Sequence, residues 1–317
     1  MDAAGSHARG KTLSHRSKVS IALAVIYLVW GSSFIATKVM VTDEPPLVAA
    51  GLRFSLAGIL LTAFAWWRYG PPILTRVELR HVLAMAFLAV AFSNACHVIA
   101  MQHVQSNTAA LLNATPALWI AWLGTLGARR KPLSGAQQAG LVVGLAGVLL
   151  ILSPRGGFEI ASFSWQLLIL LGCFAWSLGT YYHRNSGTTN PPLTFVALQM
   201  FAGGLGLVAV AALTGESFAV DWTPRAMAAF LWLTLMSSCL AYSAYAWLTV
   251  HAPPVVVGSY GYVCPAIAAL AGWLLLGETL GWIQIAGMGV ILFGIALVTG
   301  YISPLPPRRP AEAETSA

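Results

Sequence analysis

Apolar segments of about 20 residues recur along this chain from residue 19 to residue 301, separated only by short connections rich in Pro, Gly or charge. A helix of that length, rising 1.5 Å per residue, spans the roughly 30 Å of hydrocarbon in a bilayer. In lipid every backbone N–H and C=O must be satisfied inside the protein, so such segments have little choice but to be helical. The sequence places them at 19–41, 45–68, 79–102, 106–127, 134–153, 163–184, 191–214, 224–249, 252–276 and 279–301. The expectation is an all-α polytopic membrane protein with ten transmembrane helices.

Composition agrees. Hydrophobic residues make up 58% of the chain, charged residues 9%, and the mean hydropathy is +0.75. Soluble domains carry about a quarter charged residues, so most of this surface cannot face water. Cys96, Cys173, Cys239 and Cys264 all lie inside apolar segments with no CxxC pair, which argues against a disulfide framework or a metal site and for small packing residues. The polar, basic stretch 1–18 reads as a tail before a retained first helix, not as part of a removed signal peptide.

Charge distribution sets the orientation. With the N-terminus inside, thirteen cations fall on the inner side: Arg9, Lys11, Arg16, Lys18, Arg68, Arg76, Arg80, Arg129, Arg130, Lys131, Arg184, Arg308 and Arg309. Two, Arg155 and Arg225, fall outside, and Lys38 and Arg53 lie within helices. The positive-inside rule then puts both termini in the cytoplasm of a multi-pass protein in the cell (inner) membrane. The net charge of +7 is explained by these clusters, and no nucleic-acid partner is expected; the partners are the lipid bilayer and a small organic solute.

The chain also repeats itself. "PPLVAAGLRFSLAG" at 45–58 resembles "PPLTFVALQMFAGG" at 191–204, a shift of 146 that also superposes Trp30 on Trp176 and Lys38 on Arg184. Pro116 matches Pro265 at a shift of 149, and Gln137, Gly140 and Gly147 match Gln284, Gly287 and Gly294 at 147. Five helices per repeat is an odd number, so the second copy runs through the membrane inverted, an arrangement typical of transporters that rock about a central site. The boundaries expected are a tail 1–18, a first five-helix repeat 19–153, a second 163–301 and a polar, Pro-rich tail 302–317.

"YLVWGSSFIATK", "PPLVAAGLRF", "NATPALWIAWLG", "VCPAIAALAGWLLLGE" and "QIAGMGVILFGIALV" together resemble the EamA-type branch of the drug/metabolite transporter superfamily over residues 20–301. The resemblance implies ten helices in two inverted halves, cytoplasmic termini, and export of amino acids, metabolites or toxic organic compounds. The first half departs from the pattern: "GARRKPL" stands where many members carry Gly-Glu.

Polar and aromatic residues inside the spans are the candidate site. Tyr27, Trp30, Phe34 and Lys38 follow one another at helical spacing, and Trp176, Thr180 and Arg184 occupy the matching positions of the sixth span. Trp30 and Trp176 lie about halfway along their helices, which disfavours a role as interfacial anchors; cavity lining and core packing both remain open. Asn94 and His97 are one turn apart at mid-membrane, where polar groups need partners or water. His97 could bind solute or carry a proton, while Asn94 could equally hold the bundle together. Asn113, Trp119, Tyr242, Ser243, Tyr245, Tyr260 and Tyr262 complete the expected cavity. Pro116 and Pro265 are expected hinges, and Lys38, Arg53 and Arg184 expected gate residues, although Arg53 could instead snorkel to the outer surface toward Asp43 or Glu44. Gly140, Gly144 and Gly147, with Gly287 and Gly294, suggest close packing within the chain or, alternatively, a homodimer seam.

No Asp or Glu lies deep in a span and no Gly-rich phosphate-binding motif is present, so coupling by buried carboxylates or by ATP is not expected. No HExxH or GxSxG motif points to an enzyme, and no cofactor is implied. The leading function is a small-molecule transporter, an exporter working by alternating access around an aromatic cavity, for amino acids, their derivatives or lipophilic cations that stack on rings. The alternatives are an intramembrane enzyme and a structural or sensory membrane protein.

Overall fold

Hydroxyl and proline residues start most of the helices. Ser14, Thr75 and Thr223 cap the helices that follow with side-chain oxygens, and Pro46, Pro116, Pro192 and Pro224 occupy the first helical turn of theirs, where the missing N–H costs nothing. In this computed structural model, which describes residues 14–126, 132–152 and 160–300, the result is α1 (His15–Asp43), α2 (Pro46–Tyr69), α3 (Arg76–Met101), α4 (Ser106–Leu112), α5 (Pro116–Leu123), α6 (Gly135–Leu152), α7 (Ile160–Ser186), α8 (Pro192–Thr214), α9 (Pro224–His251), α10 (Pro254–Gly258), α11 (Tyr260–Leu276) and α12 (Trp282–Thr299). The described residues are all-helical, without a strand. Residues 1–13 and 302–317 of the two tails, Tyr301 at the end of the second repeat, and the charges Arg129, Arg130, Lys131 and Arg155 lie outside the described residues.

Nine helices among the described residues are long and apolar enough to cross a membrane. The segment expected as a tenth continuous span, 106–127, is divided into α4 and α5 by a turn at Asn113–Thr115. Pro116 explains the break: it brings no N–H, and its ring crowds the carbonyl of Leu112. That carbonyl turns instead to the N–H of Thr115 at 3.1 Å and to its hydroxyl at 2.8 Å. Pro265, in contrast, sits inside α11 without dividing it, and the neighbouring break falls earlier, at Ser259 between α10 and α11.

Two helices widen into π turns, α3 over Ala86–Phe92 and α9 over Trp232–Ala241. The two stretches are 146 residues apart at their starts and 149 at their ends, the same offsets that relate the sequence repeats. Widened turns loosen the carbonyl ladder, and side chains take up the slack: the Asn94 amide donates to the carbonyls of Ala89 (3.2 Å) and Val90 (2.9 Å).

The closest helix pairs join equivalent elements of the two halves, α2 with α8 and α6 with α12. Glycine permits the second pairing. A Cβ at Gly294 would stand 2.5 Å from the Gly144 nitrogen, and one at Gly140 would stand 2.7 Å from the Gly294 carbonyl. The glycine stripes of α6 and α12 therefore face each other inside one chain. Gly31 plays the same part between α1 and α11, against Ile267.

Two carboxylates hold helix starts, where unpaired N–H groups and the helix dipole favour negative charge. Glu216 accepts from the N–H groups of Leu47 and Val48, and Glu278 from those of Ser106 and Asn107 and from the Ser106 hydroxyl; Glu78 instead holds the turn before α8, accepting from the Thr189 N–H and hydroxyl and the Asn190 side-chain amide. Large apolar side chains cover the outside, with Trp66, Trp67 and Trp282 exposed at helix ends as interfacial tryptophans are.

Candidate functional site

A cavity of about 150 Å³ lies where the two halves meet, a volume that takes roughly one benzene-sized ring. Its walls come from helices far apart in sequence. α1 supplies Trp30, Ser33, Phe34 and Thr37; α2 supplies Arg53 and Phe54; α3 supplies Ser93, Asn94, His97, Val98 and Met101. Asn113 and Pro116 reach it from the α4–α5 break, Trp176 from α7, Ser237 and Tyr242 from α9, and Tyr260 and Cys264 from α11. The α1 set, at positions 30, 33, 34 and 37, is one helical stripe, and the α3 set from 93 to 101 is another.

On the side nearer the start of α1 the cavity ends at a cluster of rings. Trp30 stands 5.1 Å from Tyr242, 5.4 Å from Tyr245 and 5.1 Å from Tyr260, mostly edge-on. Its indole N–H points at the Ser237 carbonyl in the π stretch of α9, 3.4 Å away. One turn back, the Tyr27 hydroxyl is hydrogen-bonded to that of Ser259, which ties α1 to the α10–α11 break.

The α3 wall is polar. His97 Nδ1 lies 2.7 Å from the Ser93 carbonyl, which can only accept, so Nδ1 carries a proton. His97 Nε2 lies 3.1 Å from the Asn113 side chain and 3.7 Å from Cys173 Sγ. A neutral ring accepts there from the Asn113 amide NH₂, and a protonated ring donates to its oxygen; the two states differ by a turn of one amide.

Arg53 is the charged group of the wall. It is only 6% exposed, about 10 Å along α2 from Pro46. Its Nε donates to the Ser238 hydroxyl at 3.1 Å and Nη2 to the Ser237 hydroxyl at 3.4 Å, and the guanidinium lies 4.5 Å from the Phe54 ring centre. It does not snorkel back to Asp43 or Glu44: those hydroxyls draw it into the bundle. A position expected at a gate is thus part of the cavity wall.

Seven of the expected cavity residues line it: Trp30, Asn94, His97, Asn113, Trp176, Tyr242 and Tyr260. Six do not. Tyr27 and Tyr245 stand beyond the Trp30 ring. The Thr180 and Ser243 hydroxyls fold back onto their own helices, at the carbonyls of Trp176 and Cys239. Trp119 packs edge-on against Phe174, and Tyr262 turns away to Thr299 on α12. Among the expected gates and hinges, Pro116 lines the cavity and Pro265 is buried beside Cys264. Lys38 donates to the carbonyls of Met101 (2.6 Å) and Gln102 (3.2 Å), capping α3, and Arg184 is exposed at the end of α7. Thr37, Ser93 and Ser237 escape notice in the sequence because small hydroxyl residues are common in membrane helices; only the stripes beside Trp30 and His97 mark the first two.

The sequence profile of the EamA-like transporter family matches residues 18–153 and again residues 163–300, covering both halves that build the cavity. The chain belongs to the EamA-like transporter family. It is a multi-pass membrane transporter. Among relatives of this family member, the uncharacterized inner membrane transporter YedA of Escherichia coli K12 is 33% identical over 292 residues, which cover 90% of this chain and 92% of that protein. The S-adenosylmethionine/S-adenosylhomocysteine transporter of Chlamydia trachomatis is 24% identical over 88% of this chain and 89% of its own. One crystal structure, at 18% identity, matches 91% of this chain and 98% of its own with a TM-score of 0.65, a likeness of fold.

Proposed function

We propose that this EamA-family transporter exports small organic solutes by alternating access, with the central cavity as the solute site and the two halves as inverted five-helix repeats. The observation that carries this reading is that one cavity draws side chains from α1, α2, α3, α7, α9 and α11, so that rocking one half against the other would remodel it. The π stretches of α3 and α9 and the matched pairings of α2 with α8 and α6 with α12 support the inverted repeat. α4 and α5 then serve together as the fourth span of the first half, broken at its hinge. With both termini in the cytoplasm, the ring cluster around Trp30 is the cytoplasmic-side closure, and the cavity lies on the outer side of it. The aromatic lining favours solutes with a ring or another compact apolar body.

The test is reconstitution. The purified chain in liposomes should pass solutes of this size faster than empty vesicles do, and a broad panel with no such solute would end the transport reading. Orientation is checked separately: a fluorescent protein fused to the C-terminus should glow and a phosphatase fused there should be inactive, and the opposite pair of results overturns it.

A further inference from the structure

Resting on the transport reading above, we propose that Arg53 recognises an acidic group on the solute, so that the transported class carries a carboxylate, or a similarly shaped anion, on a compact apolar body. The guanidinium is more than nine-tenths buried, lines the cavity, and meets no carboxylate among the described residues. Its protein partners are two neutral hydroxyls and the face of Phe54, which leave Nη1 and part of Nη2 without a protein acceptor. Of five N–H donors in a planar fork, at least three are free for an incoming group.

A buried cation of this kind is costly unless something pairs with it. Three of the protein's own acids are committed elsewhere, Glu216 and Glu278 at helix starts and Glu78 at the turn before α8, and no acidic residue lines the cavity. Glu44, nine residues before Arg53, is buried and makes no hydrogen bond or ion pair with it. The solute itself is then the natural counter-ion. The fork geometry suits the two oxygens of a carboxylate, and the rings of Trp30 and Tyr242 stand in the same cavity to take the apolar body. The same positive wall repels a cation, so amines and lipophilic cations are excluded from the class. At the matching place in the second half stands Gln199, buried and neutral, so this recognition is one-sided.

The competing role for Arg53 is a brace between α2 and the π stretch of α9. Selectivity separates the two. Proteoliposomes holding the full chain are assayed with nine probes in three series, each with one apolar body and three headgroups: indole-3-acetate, tryptophan and tryptamine; phenylacetate, phenylalanine and phenethylamine; isovalerate, leucine and isoamylamine. The acids or amino acids should cross and the amines should not. Arg53→Gln should lower flux of the carboxylate probes about 10- to 100-fold, and Arg53→Lys, which keeps the charge but cannot bridge both hydroxyls, should retain a clear part of that flux. A mere brace predicts that the Gln and Lys variants lose carboxylate flux equally in protein of unchanged elution volume and melting temperature, which would overturn the proposal. Amine transport by the wild type would overturn it too, while leaving transport intact. Flux of no probe above that of empty vesicles would instead count against the transport reading itself.

Discussion

In the first half, Trp30 stands within 5.4 Å of three tyrosine rings and directs its N–H at a carbonyl of the opposite half. In the second half, Trp176 meets Tyr242 at 6.3 Å and otherwise packs beside Val82, Met85, Ala89 and Phe195. Both line one cavity, yet the two sides are not interchangeable. The first half brings the charge and the polar wall, Arg53, Asn94 and His97; the second brings tyrosine rings and the hydroxyls of Ser237 and Ser238. At the positions matching Arg53 and Asn94 the second half has Gln199 and Ser243. A duplicated scaffold has thus been loaded unequally, and the cavity between the halves presents a different surface on each side.

Truncating the tryptophans tests this inequality most strongly. Trp30→Ala removes three ring contacts and a hydrogen bond, and should cost about 3–5 kcal/mol of stability. Trp176→Ala, with one distant ring partner, should cost about half of that. The melting temperatures of the two detergent-solubilised variants, measured side by side, decide it; equal losses would mean that the ring cluster has no special weight. Trp30→Phe separates ring from N–H, and should recover most of the loss because the weak 3.4 Å bond contributes about 0.5–1.5 kcal/mol at best.

Much of this architecture can be read from the residues. Continuous apolar length marks the spans, because lipid tolerates little else, and charge between spans is a bulk signal that survives errors of a few residues. Trp30, Asn94, His97 and Tyr260 could be singled out because a large ring or polar group at mid-membrane needs a reason. What the sequence conceals is rotation. The pattern Tyr27, Trp30, Phe34, Lys38 looks like one face, but the stripe facing the cavity is Trp30, Ser33, Phe34, Thr37, turned far enough to send Lys38 to the end of α3. Arg53 is concealed in another way: its depth is legible, but whether it reaches back to the rim or inward depends on Ser237 and Ser238, some 185 residues away. The split of the segment 106–127 is likewise decided by how far one proline is tolerated, since Pro116 ends a helix and Pro265 does not.

If the inequality belongs to the site alone, the seams between halves should show none of it. Gly147 on α6 and Gly294 on α12 are both closed in by backbone: an added Cβ would lie 2.7 Å from the Ile291 nitrogen in one case and 2.5 Å from the Gly144 nitrogen in the other. Each Gly→Ala change should therefore destabilise by about 1–3 kcal/mol, and by similar amounts. Gly289→Ala, on the same helix with open space around it, should change stability by less than about 0.5 kcal/mol. A large difference between Gly147→Ala and Gly294→Ala would show that asymmetry extends into the scaffold.

The smallest effect concerns the two cations at matching ends of α1 and α7. Lys38 is half-buried and caps α3 through the carbonyls of Met101 and Gln102, where a positive charge complements the helix dipole. Lys38→Met keeps the aliphatic stem and removes the charge, so its cost of about 0.5–1 kcal/mol isolates the cap. Arg184 is exposed at its helix end, and Arg184→Met should lie within about 0.5 kcal/mol of wild type. Raising salt should narrow the gap little, because the Lys38 contacts are partly sheltered from solvent while any contribution from Arg184 is screened. A gap that vanishes at high salt would make Lys38 an ordinary surface charge and leave the polar wall, with Arg53 in it, as the part of the molecule in which the halves differ.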